Sequence, residues 1–179
     1  NRIGCNFILN VAPNRDGLID DNVMKTLSEI GQIWNDESIE VPMLDDYDEP
    51  IIYPNLAKHR PCFSSWSDDM WIMDFANDDD FKTEWRSNPL VEHPWYIIDF
   101  EKRTSFNAIV ISDLRRTFQD YTLYYEKDGE WLPIPINPNA RAVKVHRFER
   151  VYGNKVKIVI NKGKVSPSIM EIGVYDEIP

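Results

Sequence analysis

The fold of this chain is decided by residues 76–85, which read ANDDDFKTEW. Three adjacent carboxylates, Asp78 to Asp80, are followed by Thr83 and by Trp85, an aromatic residue suited to a protein core. Hard oxygen ligands in a compact turn are what Ca²⁺ requires. Because adjacent like charges repel each other, a bound cation would explain why one turn keeps them together. The alternative is a solvated turn rich in aspartate.

The chain from residue 51 onward has the pattern of short β-strands. Turn residues such as Asp128-Gly129 separate the strands. Short strands at this spacing, with no helical pattern between them, predict an antiparallel sandwich over residues 51–179. The candidate strands lie near residues 60–66, 94–100, 106–112, 119–126, 130–134, 142–150, 155–161 and 169–176.

Five segments, taken in order, resemble the discoidin, or coagulation-factor type C, family. They are the acidic loop and residues 94–100 (PWYIIDF), 121–125 (YTLYY), 128–131 (DGEW) and 169–175 (IMEIGVY). Many carbohydrate-binding modules of bacterial glycosidases belong to this family. The resemblance covers roughly residues 54–177 and implies a galactose-binding-like jelly roll, which is an antiparallel β-sandwich. It also implies a non-catalytic role in binding a glycan that contains galactose or fucose.

The resemblance further implies one structural Ca²⁺. Its ligands would be Asp78, Asp80, Thr83, Glu171 and a backbone carbonyl near Ala76. The family usually has glycine at the position of Asp79. Aspartate tolerates a left-handed backbone better than most residues, so we expect the turn to persist.

Four residues are candidates for binding the sugar. Trp71 precedes the acidic turn and could stack on a sugar ring. By resemblance, Arg86 and either Arg115 or Arg116 would bond to sugar hydroxyls. The planar fork of arginine suits vicinal hydroxyls or a carboxylate. The alternatives are ordinary packing for Trp71 and surface arginines that bind no ligand.

Residues 1–35 predict a strand, a turn and a helix. The apolar run from Cys5 to Ala12 is typical of a buried strand, and Asp20 is placed to cap a helix. The helix has one apolar face, made of Val23, Leu27, Ile30 and Trp34. Residues 6–19 (NFILNVAPNRDGLI) and 27–31 (LSEIG) resemble the end of the catalytic domain of α-L-fucosidases, glycoside hydrolase family 29. This resemblance implies the last βα unit of a (β/α)₈ barrel, an upstream barrel as partner, and a periplasmic or extracellular location.

Residues 36–50 predict an acidic linker. The net charge is −10, and seven carboxylates stand between Asp36 and Glu49 without a cation. Such a run is usually a solvated linker and only sometimes a partner site. The acidity argues against nucleic acid and anionic membranes as partners. No apolar run approaches the ~20 residues that span a bilayer. Cys5 and Cys62 could form a disulfide or remain free thiols.

No pattern in the chain predicts catalysis. Glycoside hydrolysis usually needs two carboxylates placed across the scissile bond, and no motif assigns them here. The resemblance implies that the parent protein is an α-L-fucosidase and that this chain alone is inactive. Three roles stay open: a carbohydrate-binding domain, a structural domain that braces the barrel, and a domain that binds a protein or lipid surface. The first two roles are distinguished by whether Trp71, Arg86 and Arg115 converge on one exposed surface. The third would need an exposed apolar spike on the loops.

Overall fold

A computed structural model describes residues 9–34 and 50–178 of the chain. The contacts divide the chain into two compact units, Asn1–Glu49 and Pro50–Pro179. Among the described residues, no helix is long and apolar enough to cross a membrane.

The described part of the first unit contains one helix, α1, which spans Asp21–Trp34. Asp20 is at its start: the Asp20 carbonyl accepts hydrogen bonds from the amides of Val23 and Met24. The Asp20 carboxylate accepts a hydrogen bond from Asn14 Nδ2 at 2.9 Å. The first half of the predicted strand, residues 5–8, lies outside the described residues, and residues 9–12 do not form a strand.

The second unit is an antiparallel β-structure, as predicted. Its eight strands are β1 (Cys62–Ser64), β2 (Trp85–Arg86), β3 (Trp95–Ser112), β4 (Phe118–Lys127), β5 (Glu130–Pro133), β6 (Val143–Gly163), β7 (Ser168–Ile169) and β8 (Glu171–Tyr175). A short 3₁₀ helix, Met73–Ala76, precedes the acidic loop.

Two long, bent strands give the unit its layers. β3 and β6 pair along most of their length, and the pairing is irregular between Asp99 and Thr104 and between Phe106 and Ala108. Irregularities of this kind bend a strand. The first part of β3 and the last part of β6 belong to a sheet in the order β1-β3-β6-β4-β5. The last part of β3 also pairs with β8. Each of the two long strands was predicted as two separate strands, because the bend resembles a turn in sequence.

The two layers pack face to face around an apolar core. Ile98 and Ile158 from one layer and Ile109 and Ile172 from the other line the same small void of about 10 Å³. This shared lining confirms the predicted sandwich. Trp85 is fully buried in the core.

Cys62 is a free, buried thiol, and burial raises its pKa. Cys5, the other cysteine considered for a disulfide, lies outside the described residues.

Candidate functional site

Trp71 and Arg86 are held together by the backbone of a loop that runs beside β2. The amide of Asp68 donates to the carbonyl of Arg86 at 2.8 Å, and the amide of Arg86 donates to the carbonyl of Trp71 at 3.1 Å. The Arg86 guanidinium carbon lies 4.3 Å from the centre of the Trp71 ring. Both side chains are partly exposed. Arg86 therefore covers one face of the indole.

A buried carboxylate, Glu84, joins Arg86 to Arg115. Glu84 Oε1 lies 2.5 Å from Arg86 Nη2 and 3.3 Å from Arg115 Nη2. The Glu84 side chain is only 4% exposed, whereas that of Arg115 is 58% exposed. Each guanidinium carries five N–H donors, so the shared oxygen leaves donors free for a ligand. Trp71, Arg86 and Arg115 thus converge around Glu84, and we call these four residues the Glu84 cluster.

Glu84 is the member of the cluster that sequence reasoning missed. The signal was the alternation around Trp85: residues two apart on a strand point to the same side, so Glu84 and Arg86 share a face while Trp85 enters the core. The neighbouring acidic loop concealed this signal, because Glu84 was one of several carboxylates in a row.

The turn that carries Arg115 is fixed by a buried ion pair. The Asp113 carboxylate accepts hydrogen bonds from the Thr117 amide at 2.7 Å, the Phe118 amide at 3.2 Å and Lys144 Nζ at 3.0 Å. The side chains of Asp113 and Lys144 are both 0% exposed. Arg115 therefore lies on a turn that the buried Asp113–Lys144 ion pair holds in place.

Arg116 follows Arg115 but lies in a different environment. Its φ angle is 51°, in the left-handed region, and the residue lines a cavity of about 260 Å³ with Lys162 and Lys164. Within the described part of the chain it makes no ion pair with Glu84. Of the two arginines left open by the sequence, the structure brings Arg115 to the cluster.

The acidic loop closes on itself through the residues predicted to bind calcium. Thr83 Oγ1 donates to Asp78 Oδ2 at 2.9 Å and lies 2.8 Å from the carbonyl of Asp80. The Asp80 carboxylate is exposed and accepts from the Lys82 amide at 3.0 Å. Asp79 has a φ angle of 65°, which confirms the expected left-handed turn at the position where the family usually has glycine.

Glu171 reaches this loop from β8 and is left with an unsatisfied oxygen. Its Oε2 accepts from the Asp79 amide at 3.1 Å, but its Oε1 is buried and has no hydrogen-bond partner. Burial, together with the charges of Asp78 and Asp79, raises the pKa of Glu171 to about 8. An unpaired buried carboxylate is costly unless a cation compensates it.

Side-chain carboxylates alone do not complete a metal site. Among residues 9–34 and 50–178, no group of three or more histidine, cysteine, aspartate or glutamate side chains is arranged to hold an ion. A cation here would need carbonyl and hydroxyl oxygens as well. Asp78, Thr83, Glu171 and the fully buried end of the 3₁₀ helix at Ala76 lie around this loop, so the oxygen-rich set fits a hard cation.

The second unit is thus a β-sandwich with polar and aromatic ligand candidates on the loops around β2. Comparison with known families places it more narrowly. Residues 62–172 match the F5/8 type C domain, and the chain belongs to that family.

Relatives of the chain include fucosidases and a carbohydrate-binding module. Over 177 residues it is 24% identical to Alpha-L-fucosidase 1 of Arabidopsis thaliana, covering 96% of this chain and 33% of that protein. A variant of a Ruminococcus gnavus GH29 fucosidase, solved with fucose, has a TM-score of 0.61 and 22% identity, covering 96% of this chain and 33% of that one. The family 32 CBM (carbohydrate-binding module) of C. perfringens NanJ, solved with galactose, has a TM-score of 0.61 and 16% identity, covering 65% and 93%.

Both resemblances noted in the sequence, to discoidin domains and to α-L-fucosidases, are confirmed by these comparisons. The chain spans about a third of the length of the curated fucosidase that it matches.

Proposed function

We propose that the sandwich binds a glycan at the Glu84 cluster and does not cleave it. The observation that supports this role is the convergence of Trp71, Arg86 and Arg115 on one partly exposed surface around a buried carboxylate. The relative solved with galactose supports a glycan as the ligand class. The ligand would contain galactose or fucose.

The chemistry of the cluster suits a hydroxyl-rich ring. The exposed part of Trp71 can pack against the apolar face of a sugar, while Arg86 covers the other part of the indole. Two guanidinium groups face one carboxylate, so the cluster carries a net positive charge and a surplus of N–H donors. Glu84 would hold both arginines in one orientation, which lowers the entropy lost when a ligand binds.

A glycan-binding sandwich would serve as an anchor for a parent α-L-fucosidase. Holding the enzyme on a glycan surface raises the effective concentration of substrate termini around its active site. In this proposal the upstream catalytic barrel performs the hydrolysis, and the protein acts in the periplasm or outside the cell. A sandwich that only braces the barrel would not need the convergence seen at Glu84.

A glycan array followed by calorimetric titration tests the proposal. The wild-type chain should bind galactose- or fucose-terminated glycans, and Trp71→Ala should weaken binding by at least about tenfold, since stacked rings contribute on the order of 1–3 kcal/mol. Tyr152→Ala is the matched control, because Tyr152 is an exposed aromatic residue beside an arginine, Arg103, at 5.7 Å. Absence of binding to any glycan by the folded wild-type chain would favour the bracing role.

We also propose that one Ca²⁺ binds between the acidic loop and β8. Asp78, Asp80, Thr83, Glu171 and the carbonyl near Ala76 would hold it, and the unsatisfied Oε1 of Glu171 supports this proposal. The cation would neutralise the converging carboxylates and fix the loop next to Glu84.

Chelation tests the calcium proposal. Bound metal at a hundredfold excess over its Kd stabilises a fold by about 2.7 kcal/mol. For a chain of this size that corresponds to a loss of about 5–10 °C in Tm when EDTA is added. Asp78→Ala should abolish the response, whereas Asp69→Ala, an exposed aspartate in the preceding loop, should retain it. A melting curve that EDTA leaves unchanged, with no metal found by elemental analysis, would refute the site.

A further inference from the structure

We propose that the cavity lined by Arg116, Lys162 and Lys164 binds the anionic group of an acidic glycan, a sulfate ester or a carboxylate. This inference rests on the proposed function, because the neutral part of the same glycan would occupy the Glu84 cluster. We call this second site the cationic cavity.

The cationic cavity is built from two neighbouring strands and one turn. It has a volume of about 260 Å³, and its walls include Phe118 from β4 and Lys162 from β6. The β4 and β6 backbones pair at Phe118↔Gly163. A Cβ atom on Gly163 would lie 3.0 Å from the carbonyl oxygen of Thr117, so the strand and the turn pack tightly here. The walls are therefore part of the sheet rather than a loose loop.

Three cations line the cavity without compensating acids. None of its described lining residues is an aspartate or glutamate. In the described part of the chain, Arg116, Lys162 and Lys164 form no ion pair. Asp120 lies opposite Lys162 in the strand pairing, but its Oδ1 accepts a hydrogen bond from Asn161 Nδ2 at 3.1 Å. Like charges that face one space without a counter-ion favour an anionic ligand.

The turn preorganises the cations. The Arg116 amide donates to the carbonyl of Asp113 at 2.8 Å, and the Lys164 amide donates to the carbonyl of Thr117 at 2.7 Å. Asp113 is itself held by Lys144. A ligand would therefore meet backbone positions that are already fixed, which favours affinity because little ordering remains to be paid for.

The cavity adjoins the proposed glycan site. Lys164 Nζ donates to the backbone carbonyl of Arg115 at 3.3 Å, and the Arg115 side chain reaches Glu84. Consecutive residues of one turn thus serve the two sites: Arg115 faces the cluster and Arg116 faces the cavity. One glycan could contact both, with its uncharged ring at Trp71 and its anionic substituent at Arg116.

A matched pair of ligands tests this inference. The probes are sulfated galactan oligosaccharides and the same oligosaccharides after desulfation, titrated calorimetrically into the full chain. We expect the sulfated form to bind at least about tenfold more tightly at low salt, since charge-assisted hydrogen bonds are roughly twice as strong as neutral ones. The preference should shrink as salt screens the cations. Arg116→Ala/Lys164→Ala should remove the preference and leave the affinity for the desulfated form unchanged.

Further variants separate the two sites. Lys162→Ala removes a cation whose side chain makes no described hydrogen bond, so it should reduce the preference even if the double variant folds poorly. Lys102→Ala, an exposed lysine on the bend of β3, is the control and should leave the preference intact. Trp71→Ala should weaken the binding of both probes by the same factor.

The outcomes distinguish the two proposals. Equal affinity for the two probes in the wild-type chain would overturn the cationic cavity and leave the Glu84 cluster in place. No binding of the desulfated probe, with sulfated binding that Trp71→Ala does not affect, would overturn the proposed function instead. Binding to vesicles of phosphatidylcholine and phosphatidylserine that Arg116→Ala/Lys164→Ala abolishes, without a preference for sulfated probes, would assign the cavity to lipid headgroups and overturn a glycan ligand.

Discussion

Replacing Lys144 with methionine should destabilise the sandwich far more than removing an exposed lysine. Lys144 and Asp113 are both 0% exposed, and their charged atoms are 3.0 Å apart. Lys144 Nζ also donates to the carbonyl of Arg141 at 2.6 Å and lies 4.5 Å from the centre of the Phe118 ring. Lys144→Met removes the ammonium group, with its charge and its hydrogen bonds to Asp113 and Arg141. It keeps an unbranched side chain of similar size, so it opens no large cavity.

The size of the expected loss of stability depends on the hydrogen bonds that Asp113 retains in the variant. Removing one partner of a buried ion pair costs about 3–5 kcal/mol. Asp113 still accepts hydrogen bonds from Thr117 and Phe118, so we expect a loss of about 3 kcal/mol, at the lower end of that range. For a chain of this size, the corresponding decrease in Tm is about 6–12 °C.

Chemical denaturation followed by tryptophan fluorescence measures this loss, and Lys155→Met provides the control. Lys155 pairs with Asp99 at 3.6 Å, but its side chain is 37% exposed. Exposed pairs contribute about 0–1 kcal/mol. If Lys144→Met costs no more than Lys155→Met, the buried pair does not anchor the turn and this reasoning is wrong. If it costs about 3 kcal/mol, glycan affinity measured on the folded variant should also fall, because the ion pair that fixes the turn of Arg115 and Arg116 is lost.

Three further predictions concern the fold. Gly153→Ala should destabilise the sandwich by about 1–3 kcal/mol in urea denaturation, because a Cβ there would lie 2.7 Å from the carbonyl oxygen of Glu126; an unchanged midpoint would show that the strand can shift. The Ser105 hydroxyl lowers the pKa of Asp176, so the contribution of Asp176 is present above its unfolded pKa of about 3.9 and is lost as pH falls below it. Asp176→Asn should flatten the acid limb of the stability–pH curve, and an identical limb would contradict this assignment. Deleting residues 1–35 should leave the sandwich folded by circular dichroism, since every described residue of the buried core lies beyond residue 56; an unfolded product would place the unit boundary elsewhere.

Much of the sandwich could be predicted from sequence because its strands alternate and its turns carry recognisable residues. The bends in β3 and β6 could not, since a bend and a hairpin turn have similar local composition. At Glu101 the chain adopts a left-handed backbone with a φ angle of 61° and then continues the same strand pairing. Only the tertiary register reveals that continuity.

Three of the four members of the Glu84 cluster could be predicted from the sequence, but Glu84 and the contacts that join the cluster could not. The motif predicts Arg86 and one of two further arginines as candidates for binding a sugar, but the choice between Arg115 and Arg116 depends on a left-handed residue inside the turn. The role of Glu84 depends on its ion pair with Arg115, which lies more than thirty positions later in the sequence. Local patterns do not encode such a contact, so the sequence alone could not identify the carboxylate that joins the site.

The most direct test of the central claim is an NMR titration of the ¹⁵N-labelled chain with galactose and then with fucose. We predict that the indole Nε1–H of Trp71 and the Nε–H signals of Arg86 and Arg115 shift together, with one common Kd. The indole of Trp131, which lies 4.1 Å from Lys157 Nζ on the outer face of the sheet, should stay unchanged. Shifts that leave Trp71, Arg86 and Arg115 unmoved while other residues respond would contradict the proposed glycan site.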